Sequence, residues 1–183
     1  MNRRNAVLAL ALTTALGLTN VAHAADENTV YLDTKDGRVT IDLRPDLAPQ
    51  HVKQLKTLIS QGFYNGLKFH RVMDGFMAQT GDPNGNGTGG SSLPNIPAEF
   101  SSSQFRRGTL GMARASDSNS ANSQFFICLA DAPFLNGQYT VIGLVSNGMD
   151  VVDKIKKAAP GAPGGAVQNP DKIVKMQMAE KVK

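Results

Sequence analysis

The densest grouping of chemically capable side chains in this 183-residue sequence lies between Phe69 and Asp82. β-forming residues flank Asp74-Gly75, a strong hairpin signal, so the stretch predicts two short strands around a turn. Side chains alternate between faces in a strand, which places Phe69, Arg71 and Met73 on one face of the first and Met77 and Gln79 on one face of the second. One cation, one amide and several large apolar groups would then converge on a single surface. Hydrolysis would need a nucleophile beside a base, and phosphate binding would need Lys with a Gly-rich loop opening a helix. Neither is here. The set suits a neutral, partly apolar ligand that needs one strong hydrogen-bond donor. The competing reading makes Arg71 an ordinary surface strand residue, with Phe76 and Met77 in a core.

The elements that must position this hairpin are mostly short strands. Residues 29–33 and 38–43 alternate apolar and polar around Lys35-Asp36-Gly37 and read as an opening hairpin. After Pro49, the apolar residues Val52, Leu55, Leu58, Ile59 and Phe63 recur at helical spacing until Gly62 supplies a stop. His51, near that helix start, is expected to face solvent and has no metal role. Residues 82–92 are rich in Gly and Asn and are expected to form a long irregular loop near a binding face. Residues 109–114 and 124–129 read as strands, the second buried on both faces. Phe134-Leu135 precedes Asn136-Gly137, and residues 139–145 form another strand. A second helix is expected from Met149, Val152 and Ile155, with Asp150 in its first turn and Lys154, Lys156 and Lys157 in its last. A Pro/Gly-rich loop at 160–170 leads to a closing strand at 173–178. Many short strands with two helices predict a mainly β fold, a closed barrel with helices plugging its ends.

Length allows one well-packed domain. Residues 1–24 stand apart from it. Asn2-Arg3-Arg4 is a basic start, Ala6 to Leu18 an apolar run too short to span a bilayer, and Ala22-His23-Ala24 a cleavage site. The expected division is a removed export signal at 1–24 and a single domain at 25–183. Cleavage lowers the formal net charge from +4 to +2. The dispersed basic residues imply no nucleic-acid partner. Cys128 is the single cysteine, so no internal disulfide forms, and its apolar neighbours predict a buried, inert thiol.

The motifs Phe69-His70-Arg71-Val72, Phe76-Met77-Ala78-Gln79, Gly111-Met112-Ala113-Arg114-Ala115 and Ser123-Gln124-Phe125-Phe126-Ile127 closely resemble the cyclophilin family of peptidyl-prolyl cis-trans isomerases. The resemblance runs from Thr29 to about Val174 and is nearest to bacterial periplasmic members. It implies a closed eight-stranded antiparallel β-barrel capped by two α-helices, with the substrate groove on its outer face. It further implies that Arg71 is the catalytic arginine and that Gln79 grips the rotating carbonyl side. Phe76, Met77, Phe126 and Leu135 match the proline pocket, and Ala113, Arg114 and Gln124 match, with Gln79, the groove for the residues before proline. Phe134 stands where many members have tryptophan, Tyr139 where many have histidine, and Arg114 where asparagine is frequent, a contact expected to run through the main chain. The usual tryptophan donates its indole N–H to the peptide inhibitor cyclosporin, a donor that Phe134 lacks.

By the same resemblance no metal or cofactor is required, and the partners are proline-containing polypeptides, unfolded or exported. The expectation is a monomeric isomerase that assists folding of exported proteins in the periplasm, without stable membrane association once the signal is cut. A non-catalytic proline-peptide binding module or holdase is the competing class. Arg71 weighs against it, since a pure binder needs no donor that acts mainly in a transition state. A serine or cysteine hydrolase fails because no G-x-S-x-G occurs and Cys128 lies mid-strand.

Overall fold

The computed structural model describes residues 27–179, so the export-signal reading lies outside the described residues. Among the described residues, eight strands form one antiparallel sheet: β1 (Thr29–Thr34), β2 (Gly37–Leu43), β3 (Arg71–Met73), β4 (Met77–Thr80), β5 (Thr109–Met112), β6 (Phe125–Cys128), β7 (Val141–Asn147) and β8 (Lys175–Met178). Their spatial order is β3-β4-β6-β5-β7-β2-β1-β8. β3 and β8 end that order and do not pair. The sheet is therefore an open, strongly curled half-barrel, which corrects the closed barrel expected above.

Sequence chemistry accounts for the opening. β3 has three residues, and its outer edge is met by the irregular chain from Ala158 to Asp171, through Ala158 N–H to Val72 O at 2.9 Å, Val167 N–H to His70 O at 3.0 Å and Phe69 N–H to Asp171 O at 2.9 Å. Pro160, Pro163 and Pro170 punctuate that segment, and proline has no N–H to give a ladder. Single bonds replace a ninth strand.

The interior of the curl holds the main core, including Leu32, Ile41, Phe69, Phe125 and Ile127. Helix α1 (Pro49–Ser60) covers it with Val52, Leu55, Leu58 and Ile59, the stripe its spacing predicts. Phe69 is fully buried here and not on the Arg71 face, because alternation begins only where β3 does, at Arg71. Helix α2 (Met149–Val152) is a single turn. The chain then tightens into Lys154 N–H to Val151 O and Ile155 N–H to Val152 O, so Lys154, Lys156 and Lys157 lie beyond the helix they were expected to end.

His51 is also corrected. It is fully buried, and its Nδ1 lies 2.7 Å from a Glu99 carboxylate oxygen. Ala48 gives α1 no side-chain cap, so the two N–H groups of Gln50 and His51 donate to Glu99 instead, at 3.2 and 3.1 Å. A carboxylate 48 positions away thus does the work of a local cap. Burial holds the His51 pKa below its ordinary value, the Glu99 contact opposing. Burial alone would raise Glu99, but bonds from the His51 ring and backbone prevail and lower it.

Acid sensitivity follows. Near pH 6.5 unfolded histidine takes up a proton that folded His51 still refuses, so the unfolded state binds more protons and stability falls as pH drops through that window. His70, whose pKa burial also depresses, acts in the same direction. The thermal midpoint is expected to fall by several degrees between pH 7.5 and 5, at about 2–4 °C per kcal/mol for a domain of this size. His51→Gln should flatten the slope. A midpoint constant over that range in circular dichroism melts would contradict the account.

Candidate functional site

Alternation along β4 and β6 builds a second apolar cluster on the outer face of the sheet. Ala78, Phe125 and Ile127 point into the core, while Met77, Phe126 and Cys128 join Phe105, Ala132, Leu135 and Val141 outside. This explains why β6 is apolar at every position. Phe126 stacks on Phe105 with ring centroids 5.8 Å apart and meets Tyr139 edge-on at 6.0 Å.

Above this cluster lies a groove of about 830 Å³. Met77, Phe126 and Leu135 give it a buried floor, and Phe76 and Phe134 a tilted aromatic rim with centroids 5.3 Å apart. Arg71 and Gln79, opposite each other in the β3–β4 register, form its polar wall. Ala113, Arg114 and Tyr139 close the far end. Of the eleven residues singled out from sequence, Gln124 alone stands one step back, lining an adjoining cavity shared with Gln79 and Arg114.

A directional hydrogen-bond chain orders the polar wall. Arg71 can only donate, so Gln79 presents its amide oxygen to Arg71 Nη1 at 3.1 Å and its amide nitrogen to Gln124 Oε1 at 2.8 Å. Gln124 then donates to Gly87 O and Gly89 O, at 3.1 and 2.8 Å. The Gly-rich loop is thereby tied to the guanidinium. Arg71 Nε donates to Gly164 O at 2.8 Å, and Nη2 lies 3.4 Å from Met73 Sδ. Arg71 has five N–H donors, of which three are engaged and two remain for a ligand.

The loop itself hangs on Asp82, which is buried and accepts from the N–H groups of Asn84, Asn86 and Gly87 at 2.8, 2.9 and 2.5 Å. Burial would raise its pKa, but these three bonds outweigh it and hold the carboxyl below its ordinary value. Arg114 reaches sideways: Nη1 donates to Ala115 O and Ser116 O, Nη2 to Gln138 O, and the guanidinium lies 4.6 Å over the Tyr139 ring. Burial pushes the Cys128 thiol up to about 12, so it stays protonated beneath the floor and is no nucleophile.

The Gly-rich loop reaches the groove as expected, through Gly85, Asn86 and Gly87, whereas sequence reading missed His70, Gly164 and Val167. Phe105 and Gly111 support the groove from below. A Cβ on Gly111 would lie 2.4 Å from Phe126 Cζ and 2.6 Å from Phe105 Cε1, so only glycine lets the two rings stack there. Gly111→Ala is expected to cost about 1–3 kcal/mol through overpacking and to raise KM as Phe126 is pushed into the groove. Denaturant titration and steady-state kinetics check both; unchanged values in each would mean that the rings yield freely.

The family model described as "Cyclophilin type peptidyl-prolyl cis-trans isomerase/CLD" matches residues 29–178. A probable peptidyl-prolyl cis-trans isomerase of Brucella suis is 58% identical over 185 residues, covering 94% of each chain. A peptidyl-prolyl cis-trans isomerase of Acinetobacter baylyi is 40% identical, covering 88% of this chain and 91% of its own. Among solved structures, a Cryptosporidium parvum cyclophilin type peptidyl-prolyl cis-trans isomerase, crystallised in the presence of the dipeptide Ala-Pro, is similar at a TM-score of 0.76. It is 29% identical, and the match covers 83% of this chain and 99% of that one. The cyclophilin AquaCyp293 of Hirschia baltica is similar at a TM-score of 0.73 with 27% identity, over 83% of this chain and 74% of that one.

Proposed function

Since the chain belongs to the cyclophilin-type peptidyl-prolyl cis-trans isomerases, we propose that it turns over X-Pro bonds of exported polypeptides in this groove, with Arg71 as the catalytic group. The observation that carries the residue assignment is the guanidinium held on three sides beside an apolar pocket, with two donors unused.

Rotation about an amide is slow because resonance gives the C–N bond double-bond character, a barrier of about 18–20 kcal/mol. As the bond twists, the prolyl nitrogen becomes pyramidal and regains a lone pair. A donor aimed there stabilises the twisted state more than the planar one, which is what lowers a barrier. The proline ring rests on Met77, Phe126 and Leu135, with Phe76 at the side. Gln79, oriented by Arg71 and Gln124, holds the carbonyl side, and the residues before proline run toward Ala113, Arg114 and Tyr139. No proton moves and no covalent bond forms. The relative crystallised with Ala-Pro supports proline-containing peptides as ligands.

Residues 1–24 support export to the periplasm, and the dispersed basic residues support a protein that binds no nucleic acid; the reading is completed by a monomeric, unanchored protein that assists folding there. The mature chain is expected to begin at Ala25, since Ala22 and Ala24 fit a signal peptidase. N-terminal sequencing of periplasmic material reads this directly, and Met1 retained on soluble protein would defeat it. A protease-coupled prolyl peptide assay on the mature chain tests the turnover. Peptide binding without acceleration of the cis-to-trans step would instead favour a binding module or holdase.

A further inference from the structure

Three anchors hold Arg71, and one of them is unusual. Gln79 Oε1 and Gly164 O are ordinary oxygen acceptors, whereas Nη2 meets the thioether of Met73 at 3.4 Å. Thioether sulfur is a weak acceptor, so this side of the guanidinium is the loosest. Packing fixes the sulfur all the same. A Cβ on Gly165, whose φ is +77°, would lie 2.4 Å from Met73 Cγ and 3.1 Å from Sδ, so the Gly164-Gly165 turn presses on the Met73 side chain. The same turn supplies the carbonyl that accepts from Arg71 Nε. Met73 is partly exposed beside the groove, while Met77 and Met112 are buried at 1% and 2% exposure.

We infer that Met73 is a positioning residue for Arg71 and a modification site: oxidation of its thioether by a peroxide slows the isomerase, and reduction restores it. The inference rests on Arg71 being the catalytic group. In the step, a sulfur lone pair attacks one peroxide oxygen and the O–O bond breaks. Sulfur is oxidised to the sulfoxide, and the peroxide is reduced to water or an alcohol. Two consequences act together. The sulfoxide oxygen is a far stronger acceptor than the thioether and competes with the prolyl nitrogen for the Nη2 donors. Its added bulk has no room under Gly165, so the turn shifts and takes Gly164 O away from Nε. Met149 and Met178 are partly buried against the interior cluster, on the far side of the sheet from Arg71, and their oxidation has no such route.

The test is treatment of the mature protein with hydrogen peroxide, peptide mass spectrometry to count sulfoxide at each methionine, and prolyl assays on the same samples. The expected result is a fall in kcat/KM of about fivefold that tracks the Met73 sulfoxide fraction. Methionine sulfoxide reductase should reverse it. Met73→Leu, which removes the weak acceptor, is expected to lose two- to threefold and to become indifferent to peroxide. A merely structural role would leave the Arg71 Nε–H resonance in place; here oxidation moves it. Full Met73 oxidation with unchanged kcat/KM overturns the inference, as does a Met73→Leu protein that peroxide inactivates as steeply as the parent. Arg71→Ala separates the two ideas. If that variant keeps parental turnover, the catalytic assignment fails and this inference falls with it. If it is inactive while the Met73-oxidised parent is fully active, this inference alone is lost.

Discussion

Arg71→Ala is expected to lower kcat/KM by at least tenfold while the protein stays folded. A charge-assisted hydrogen bond is worth about 1.5–3 kcal/mol, and here much of it is realised only as the prolyl nitrogen becomes pyramidal. At about 1.4 kcal/mol per decade, that range corresponds to roughly ten- to a hundredfold. The fold should tolerate the loss, because Gln79 and Arg71 are only partly buried and water can replace the guanidinium at Gln79 Oε1 and Gly164 O. Arg71→Lys should also be poor. Its compact ammonium cannot reach Gly164 O, Gln79 Oε1 and Met73 Sδ together and still offer donors to a substrate. The measurement is the prolyl assay with circular dichroism beside it. Near-parental turnover in either variant, with unchanged spectra, would refute the mechanism and point to a different donor.

Cyclosporin should bind about ten- to a hundredfold more tightly to Phe134→Trp than to the parent. Phe134 is 62% exposed and its ring lies 5.3 Å from Phe76, so a larger indole fits at the rim without entering the core. Phenylalanine keeps most of the aromatic area but has no N–H. A missing neutral hydrogen bond costs about 0.5–1.5 kcal/mol, with more when the inhibitor's carbonyl is left covered and unpaired. Together these give roughly 1.5–3 kcal/mol. Catalysis should change much less, because a donor on the rim is not aimed at the rotating bond. Titrating both proteins with the inhibitor in one assay decides it. Equal affinities would shift suspicion to Tyr139 or to the Gly-rich loop.

What could be read from sequence was whatever rests on short-range periodicity. The β3–β4 hairpin is legible because Asp74-Gly75 sits between alternating strands, but a two-residue turn would pair Arg71 with Ala78; the observed register, Arg71 opposite Gln79, needs Phe76 in the loop as a third residue. α1 was legible from its apolar stripe. The failures involve distance along the chain. Nothing near His51 says that Glu99 will reach it, so a polar residue at a helix start read as exposed. Closure of the sheet turns on whether β3 meets β8, two strands more than a hundred residues apart, and the Pro/Gly-rich loop between them carries no local signal of that pairing. Gly111 and Phe105 escaped because their role depends on ring stacking across neighbouring strands, which no one-dimensional pattern encodes. The resemblance to a family carried most of the groove, since Phe126, Leu135 and Ala113 are unremarkable apolar residues on their own.

The position of β1 sets an order of assembly. It lies between β2 and β8, and at its start Thr29 O accepts from Ala179 N–H at 2.8 Å, so the first strand made is completed by the last. During synthesis, or threading through a pore N-terminus first, the hairpin of β1 and β2 forms early but keeps one bare edge until about 130 more residues have emerged. Such an edge is a template for pairing with other chains. Completion is therefore all or nothing with respect to the C-terminal strand. A chain cut before β8 would hold every residue of the groove and still leave β1 open to association, and would be lost to aggregation rather than to any defect in its chemistry.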